Sequence, residues 1–439
     1  MPENNHNTQS DDDLPIIPRH RRDADKGREP QLLPAQFGSR WVSMAALVEQ
    51  IGTAFWDEYT EDSAALREAD TNAKRLKLLL DTANYVFAVE SVHLNEQEKA
   101  AVISRAFSDL FGYGPLDSLF VDDNVTTISL EGADKVSVRY GHDDLTSIGP
   151  IFQSPDHYQR IINRLLRDAG AEMRDDQPYL EVGLTVAQRP ICLNLVAPPV
   201  TIQLNADIRV HPVSLPSLDD LISADFMTGK AAELITSLAK SPHGLLIIGE
   251  PESGKTTLLN IIATMLPRPD QVIAVERAGE MRLPDSMRRM TASWPIGEEP
   301  GNSFGEQITS ALGQLPDCLL LDEVRADEPH TIAPLLQLTN APRLIWSFRG
   351  AIFAKRLQNA LGMLARRAEF GGGEALVRAL YERLPFVIAV NRVGGRLRLW
   401  NIGEWQFKHS PDYPTYVPLM HMVDGQLTTT DERPFKSLD

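Results

Sequence analysis

The strongest motif in the chain lies in LLIIGEPESGKTTLLNIIATML, residues 245–266. Its apolar start, residues 245–249, has the length and composition of a buried strand, and its apolar end is typical of a helix. The loop between them matches G-x-x-x-x-G-K-[ST], in which backbone N–H groups and the helix N-terminus surround phosphate groups. The stretch therefore predicts a nucleotide-binding P-loop domain rather than a chance glycine-rich turn.

The loop residues have separate expected roles. Lys255 is expected to reach the β- and γ-phosphates, and the Thr256 hydroxyl is expected to ligate Mg²⁺. ATP and Mg²⁺ are therefore the expected ligands. The residues of this stretch that are expected to bind nucleotide are Gly249, Glu252, Ser253, Gly254, Lys255, Thr256 and Thr257.

Two carboxylates, Glu250 and Glu252, stand in a loop that should hold an anion. A carboxylate facing the phosphates would cost about 1 kcal/mol at 4 Å in water, and several times that if dehydrated. Because main-chain donors hold the phosphates, we expect both side chains to face solvent or a neighbouring subunit. Pro251 between them fixes one backbone angle.

Two other apolar segments end in carboxylates. LLLDEVR, residues 319–325, places Asp322 and Glu323 at a strand end, as a Walker-B element requires. One acid would hold Mg²⁺ through water and the next would polarise the attacking water; a pair of capping acids is the alternative. VIAVERAGEMRL, residues 272–283, ends a strand at Glu276, a pattern that by itself is also typical of a solvated loop.

Composition limits the class of protein. The net charge of −17 argues against a general nucleic-acid binder, which needs a basic face. The sequence shows no apolar run of membrane-spanning length and no signal pattern at its start, so a cytoplasmic location is expected. Cys192 and Cys318 lie in apolar surroundings and are expected to be reduced and buried.

Periodicity and composition predict the domain organisation. In the second half, strands alternate with helices, which favours a largely parallel sheet covered on both faces. The predicted divisions are a disordered arm at 1–40, a helical region at 41–110, an α/β N-terminal domain at 111–215, a linker at 216–230, a P-loop ATPase domain at 231–408 and a C-terminal tail at 409–439.

Taken together, these segments resemble the secretion ATPase superfamily of type II and type IV systems, above all the CpaF-like ATPases of tight-adherence (Flp) pili. The likeness covers about residues 100–408 and is carried by LFGYGPLDSLFVDDNVTTISLEGADKVSVRYG, GEPESGKTTLLN, AVERAGEM and LGQLPDCLLLDEVRADE. It implies an α/β chain with a RecA-like C-terminal domain, a smaller α/β N-terminal domain and an N-terminal helical region. It also implies a hexameric ATPase that works with an integral-membrane platform protein.

The resemblance also implies residue roles. By position, Glu276 is the water activator and Glu323 the Walker-B glutamate. Arg209, in DIRVH, matches an arginine that approaches the nucleotide phosphates, with a surface or sheet-edge arginine as the alternative. Arg288 matches an arginine that follows the family's acidic segment, whose place AVERAGEM occupies here.

The sequence departs from the family pattern at several positions. Phe348, in LIWSFRG, stands where a histidine is usual, and an aromatic ring cannot donate a hydrogen bond to a phosphate. In AVERAGEM, Arg277 stands where the family usually has a second acid. In LLLDEVR, Asp322 stands where the family usually has a glycine. Three hypotheses follow: an ATP-hydrolysing motor for pilus assembly or secretion, a nucleotide-binding but catalytically impaired subunit, or an unrelated P-loop kinase or nucleic-acid translocase. No direct nucleic-acid partner is expected.

Overall fold

The computed structural model describes residues 32–34, 41–60, 63–325, 335–336, 338, 340–350, 353–368, 373–408 and 414–438. Most of the predicted arm at 1–40 lies outside these residues. The chain divides into two compact units, the first comprising Met1–Leu119, Ala133–Ser137 and Ser147–Ile161 and the second comprising Phe120–Gly132, Val138–Thr146 and Ile162–Asp439. The domain boundaries given above stay predictions.

The first unit contains the predicted helical region. Its elements are β1 (Leu32–Pro34), β2 (Trp41–Ser43), α1 (Met44–Glu58), α2 (Ala64–Glu68), α3 (Asn72–Val89) and α4 (Glu96–Phe111). Asn95 and Glu98 form a capping box at the start of α4. An apolar cluster joins α1, α3 and α4, with Ile51, Leu79 and Val102 fully buried in it.

Short elements and a small sheet follow the helices. They are α5 (Asp117–Phe120), β3 (Val125–Glu131), β4 (Lys135–Tyr140), β5 (Thr146–Ser147), α6 (Pro155–Asp168), β6 (Tyr179–Val186), β7 (Arg189–Val196) and β8 (Asn205–Val210). Within the second unit, four of these strands pair antiparallel in the order β3-β8-β7-β6.

A buried arginine fixes the end of β8. Arg189 is 1% exposed, and its guanidinium donates to the carbonyl of His211 at 2.9 Å and to that of Val125 at 2.6 Å. It also donates to the carbonyl of Asp122 at 2.5 Å. Because one side chain ties three backbone segments together, the chain just beyond Arg209 has a fixed position.

The second unit also contains a nine-stranded sheet with its helices. The elements are α7 (Leu218–Ser223), α8 (Gly229–Lys240), β9 (Leu245–Gly249), α9 (Lys255–Met265), β10 (Val272–Glu276), β11 (Arg288–Thr291), α10 (Phe304–Gly313), β12 (Cys318–Val324), β13 (Arg343–Arg349), α11 (Ala354–Ala368), α12 (Gly373–Arg383), β14 (Phe386–Val393), β15 (Arg396–Gln406), β16 (Thr415–Val423) and β17 (Gln426–Thr429). The strand order is β11-β10-β12-β13-β9-β14-β15-β16-β17.

The topology confirms the predicted RecA-like α/β domain. The strands from β11 to β14 pair parallel, and β15, β16 and β17 continue the sheet antiparallel. Apolar clusters cover both faces, one including residues of α8 and α9 and the other residues of α10, α11 and α12. Burial on both faces explains the continuous apolar runs of β9, β10 and β12.

Two segments carry more regular structure than a linker and a tail suggest. Helix α7 and the first residues of α8 lie within the predicted linker at 216–230. Strands β16 and β17 lie within the predicted tail at 409–439 and extend the sheet. In the described part of the chain, none of the helices combines the length and the apolar character needed to cross a bilayer.

Candidate nucleotide-binding site

The P-loop joins the carboxyl end of β9 to the start of α9. The N-cap residue of α9 is Gly254, which has φ 92° and no side chain to cap the helix, so the first-turn N–H groups are available to an anion. A Cβ at Gly249 would collide with the Ser253 hydroxyl and the Val390 carbonyl. Glycine is therefore required at both ends of the loop.

Lys255 lies inside the loop, as the motif predicts. Its side chain is 5% exposed, and its Nζ donates to the Glu250 carbonyl at 2.9 Å. The same Nζ lies 3.9 Å from Oε2 of Glu323. Burial lowers the pKa of Lys255, and Glu323 opposes that shift. The structure thus brings the P-loop lysine and the strand-end glutamate together.

The loop and the end of β12 offer oxygen donors of the kind that Mg²⁺ prefers. Asp322 is buried at the end of β12, where burial and then the charges of Glu280 and Glu276 raise its pKa well above its usual range. The buried Ser253 hydroxyl has no hydrogen-bond partner among the described residues. The Thr256 hydroxyl and the Asp322 carboxyl group are oxygen donors of the type that would hold a divalent cation beside a nucleotide.

Glu276 ends β10 in a fully buried position. Its Oε1 lies 2.7 Å from Nε of Arg289, and its Oε2 accepts the Met281 N–H at 2.8 Å. Burial raises the pKa of Glu276 to about 7, although Arg289 and the Met281 N–H act in the other direction. The carboxyl group therefore titrates near neutral pH, as a group that exchanges protons with water must.

Arg288 lies away from these residues. It starts β11, opposite Ile273, and it donates to Oε1 of Gln314 at 2.8 Å. Glu276 pairs in register with Thr291, at the other end of β11. The structure therefore does not bring Arg288 to the P-loop, and it is the next residue, Arg289, that contacts the acid of β10.

Arg209 projects from β8 into a group of carboxylates. Its guanidinium lies 3.6 Å from Oε1 of Glu181 and 3.9 Å from Oε1 of Glu280. Nε2 of His211 lies 2.5 Å from Oε2 of Glu280. Burial by itself would raise the pKa of Glu280, but Arg209 and His211 outweigh it and lower that pKa to about 2.

Arg325 links this group to the P-loop. Its Nη2 lies 2.6 Å from Oε2 of Glu181, and its Nε lies 3.0 Å from Oε1 of Glu323. The ion pairs therefore form a continuous series from Lys255 through Glu323, Arg325 and Glu181 to Arg209. The series therefore connects the loop lysine to a residue of β8.

Glu181, His211 and Arg325 were not predicted from the sequence. His211 lies two residues after Arg209, and Arg325 lies two residues after Glu323, so the position of each next to a predicted site residue was a signal in the sequence. Glu181 had none, because it lies on a different strand far from either motif. Its role depends on the pairing of β6 with β7 and of β7 with β8.

The expectation that Glu250 and Glu252 both face solvent or a neighbouring subunit is wrong for Glu252. Glu250 is exposed, but the Glu252 carboxylate accepts a hydrogen bond from the Thr127 hydroxyl at 3.1 Å and forms an ion pair with Arg139. The physical reason is that strands β3 and β4 place a donor and a cation within reach of the loop.

Phe348 and Arg277, which depart from the expected family pattern, both have structural contacts. The Phe348 ring is fully buried in the apolar cluster beneath β13. The Arg277 guanidinium lies 4.2 Å from the centre of the Phe304 ring, and its Nε donates to the Glu323 carbonyl at 2.9 Å. Cys192 and Cys318 are free and buried, as predicted, and burial raises the pKa of both thiols.

Known proteins show similarity to the central part of the chain. Residues 131–338 match the family described as type II/IV secretion system protein. A protein of Mycobacterium tuberculosis (strain CDC 1551 / Oshkosh), whose name links it to conjugal transfer, is 27% identical over 244 residues, which are 54% of this chain and 68% of that protein. The type IV secretion system protein PtlH of Bordetella pertussis is 26% identical over 139 residues, which are 31% of this chain and 37% of PtlH.

Solved structures show weaker similarity. The VirB11 ATPase of the Brucella suis type IV secretion system is 18% identical, with a TM-score of 0.34, over 70% of this chain and 96% of that one. The Legionella pneumophila ATPase DotB is 16% identical, with a TM-score of 0.46, over 69% of this chain and 81% of that one. These values are too low to transfer a site or an activity.

The matched residues include the P-loop and, after it, the two acids of β12, as the sequence motifs predict. The narrower tight-adherence branch stays a prediction. The sequence match and the motifs within it show that residues 131–338 form a region similar to the type II/IV secretion system protein family.

Proposed function

We propose that this chain is an ATP-hydrolysing motor subunit that powers pilus assembly or protein secretion, with the tight-adherence (Flp) branch as its narrower assignment. The observation that supports the proposal is the contact between Lys255 and Glu323 at the N-terminus of α9. A buried lysine, a strand-end acid and free helix N–H groups are the parts that phosphoryl transfer to water needs.

Nucleotide binding would use groups that already line the loop. Lys255 would exchange the Glu250 carbonyl for oxygens of the β- and γ-phosphates, while the Ser253 hydroxyl and the amides of Gly254 and Thr257 donate to the phosphates. When bound through Thr256 and Asp322, Mg²⁺ would neutralise charge on the phosphates.

The acidic residues have separate proposed roles in activating and orienting the water. Glu276, with a pKa of about 7, is the proposed water activator, and it must exchange its contact with Arg289 to reach a water molecule. Glu323 orients the water next to Lys255. Arg209 would leave Glu181 and Glu280 for the phosphates, so that β8 responds to nucleotide state.

The proposed assembly is a homo-hexamer that acts in the cytoplasm on an integral-membrane platform protein. The names of two relatives, which refer to conjugal transfer and to a type IV secretion system, support a role in transport across a membrane. The net charge of −17 supports the absence of a direct nucleic-acid partner.

A nucleotide-binding but catalytically impaired subunit is the second candidate. The observation that favours it is the buried Phe348, which leaves β13 with no phosphate-facing donor at that position. In that case the ion pairs between Arg209 and its two glutamates would hold the structure rather than respond to nucleotide.

Phosphate release from Mg-ATP tests the proposal. Wild-type protein should release phosphate, and Glu323→Gln and Glu276→Gln should bind ATP with turnover reduced at least about 100-fold, because each removes a group that acts on the water. Asp270→Asn, an exposed acid before β10, is the matched control and should keep full turnover. Binding without turnover in the wild type would favour the impaired subunit, and turnover that requires DNA would favour a translocase.

A further inference from the structure

Glu252 is held in an unusual position at the P-loop. Its φ of 57° lies in the left-handed region, which residues other than glycine seldom adopt. The carboxylate is 26% exposed and contacts Arg139 with one oxygen and the hydroxyl of Thr127 with the other. Thr127 is 2% exposed and the Arg139 side chain 17% exposed, so both partners are largely fixed.

The contacts of Glu252 compensate the negative charge that it brings to the P-loop. A triphosphate bound next to Lys255 would repel a nearby carboxylate, and partial burial strengthens that repulsion. Arg139 supplies the opposite charge at the carboxylate itself, and Thr127 fixes the oxygen that Arg139 does not contact. Both partners belong to strands β3 and β4, which lie far from the P-loop in the sequence.

We propose that Arg139 and Thr127 are positioning residues for ATP binding: they neutralise Glu252 and hold its carboxylate away from the phosphates. The acidic P-loop then accepts ATP only while β3 and β4 are in contact with it. This inference rests on the proposed nucleotide-binding function.

The test measures the dissociation constant of Mg-ATP for the full chain by calorimetry, with ADP as a second ligand. Arg139→Gln should weaken ATP binding about tenfold, because it leaves a half-buried carboxylate without its cation. The effect should be smaller for ADP, which carries less charge. Arg139→Gln combined with Glu252→Gln should restore affinity to within about threefold of the wild type, since no charge is then left unpaired. Arg139→Lys should keep most of the affinity.

Arg392→Gln is the matched control, because Arg392 donates to the His142 carbonyl at 2.8 Å instead of to Glu252. If the double variant binds ATP as weakly as Arg139→Gln, Arg139 contacts the phosphates directly and the inference is wrong. Suppose that the wild type binds ATP, that Lys255→Ala abolishes this binding, and that Arg139→Gln binds ATP as tightly as the wild type. This result would overturn the inference but not the proposed function. A wild type that binds no ATP would overturn the proposed function and this inference together.

Discussion

At the scale of single residues, the acids behind the P-loop differ widely in proton affinity. Burial raises the pKa of Glu276 to about 7, whereas Arg209 and His211 overcome burial and lower that of Glu280 to about 2. Both residues are almost completely buried. The contrast arises because burial outweighs Arg289 at Glu276, whereas Arg209 and His211 together outweigh burial at Glu280, so the two acids should respond to pH in opposite ways.

Stability should therefore depend on pH through Glu276. Its pKa is 4.5 in the unfolded chain and about 7 in the folded one, so its contribution is complete below pH 4.5 and is lost as the pH rises through 7. The glutamine in Glu276→Gln stays neutral at every pH. The free energy of unfolding of this variant, minus that of the wild type, should therefore rise by about 3 kcal/mol between about pH 5 and about pH 8.

Urea denaturation of the wild type and the variant at fixed pH values measures this difference. Glu280→Gln is the matched control. The pKa of Glu280 is about 2 in the folded chain, so its stabilising contribution is present above pH 4.5 and is lost only as the pH falls towards 2. Parallel curves for the wild type and Glu276→Gln would show that Glu276 is ionised throughout.

At the scale of elements, the alternation of side chains along β13 decides what Phe348 can do. The strand is parallel to β12 on one side and to β9 on the other, and Trp346 and Phe348 share the face that packs into the apolar cluster. Arg349, on the other face, is exposed. A residue at position 348 therefore contacts the core and not the phosphate loop.

Phe348→His should for this reason lose stability without gaining activity. The imidazole would leave a cavity and bury polar nitrogens, at a cost of about 2–4 kcal/mol. Thermal denaturation and phosphate release measure the two effects. Phe348→Leu, which stays apolar, is the control and should lose less stability. A faster enzyme with histidine at this position would show that the strand turns towards the nucleotide.

The helices and strands that could be predicted from the sequence are determined by local sequence patterns. Strands β9, β10 and β12 are continuous apolar runs because both faces are buried, and Asn95 and Ser303 begin helices with capping boxes that are visible in sequence. The ion pairs of Arg139 with Glu252 and of Glu181 with Arg325 join residues that lie more than 100 positions apart in the sequence, in or just after strands of two different sheets. A single sequence carries no local signal for such contacts.

At the scale of the whole molecule, the proposed motor requires a ring. The chain has a mass of 48.8 kDa, and we expect a species six times that mass in the presence of a nucleotide that is not hydrolysed. Light scattering with and without nucleotide measures the mass, and particle imaging shows the symmetry. Lys255→Ala, which should not respond to nucleotide, is the control. A monomer under all these conditions would contradict the ring.

Calorimetric titration with Mg-ATP measures whether the turn from Gly249 to Thr256 binds ATP. Lys255 is nearly buried between the Glu250 carbonyl and Glu323, so its removal takes away the only cation of the loop itself. We predict one ATP per chain for the wild type and an affinity at least about tenfold lower for Lys255→Ala. Equal binding by both proteins, or no binding by the wild type, would show that this turn is not an ATP-binding site.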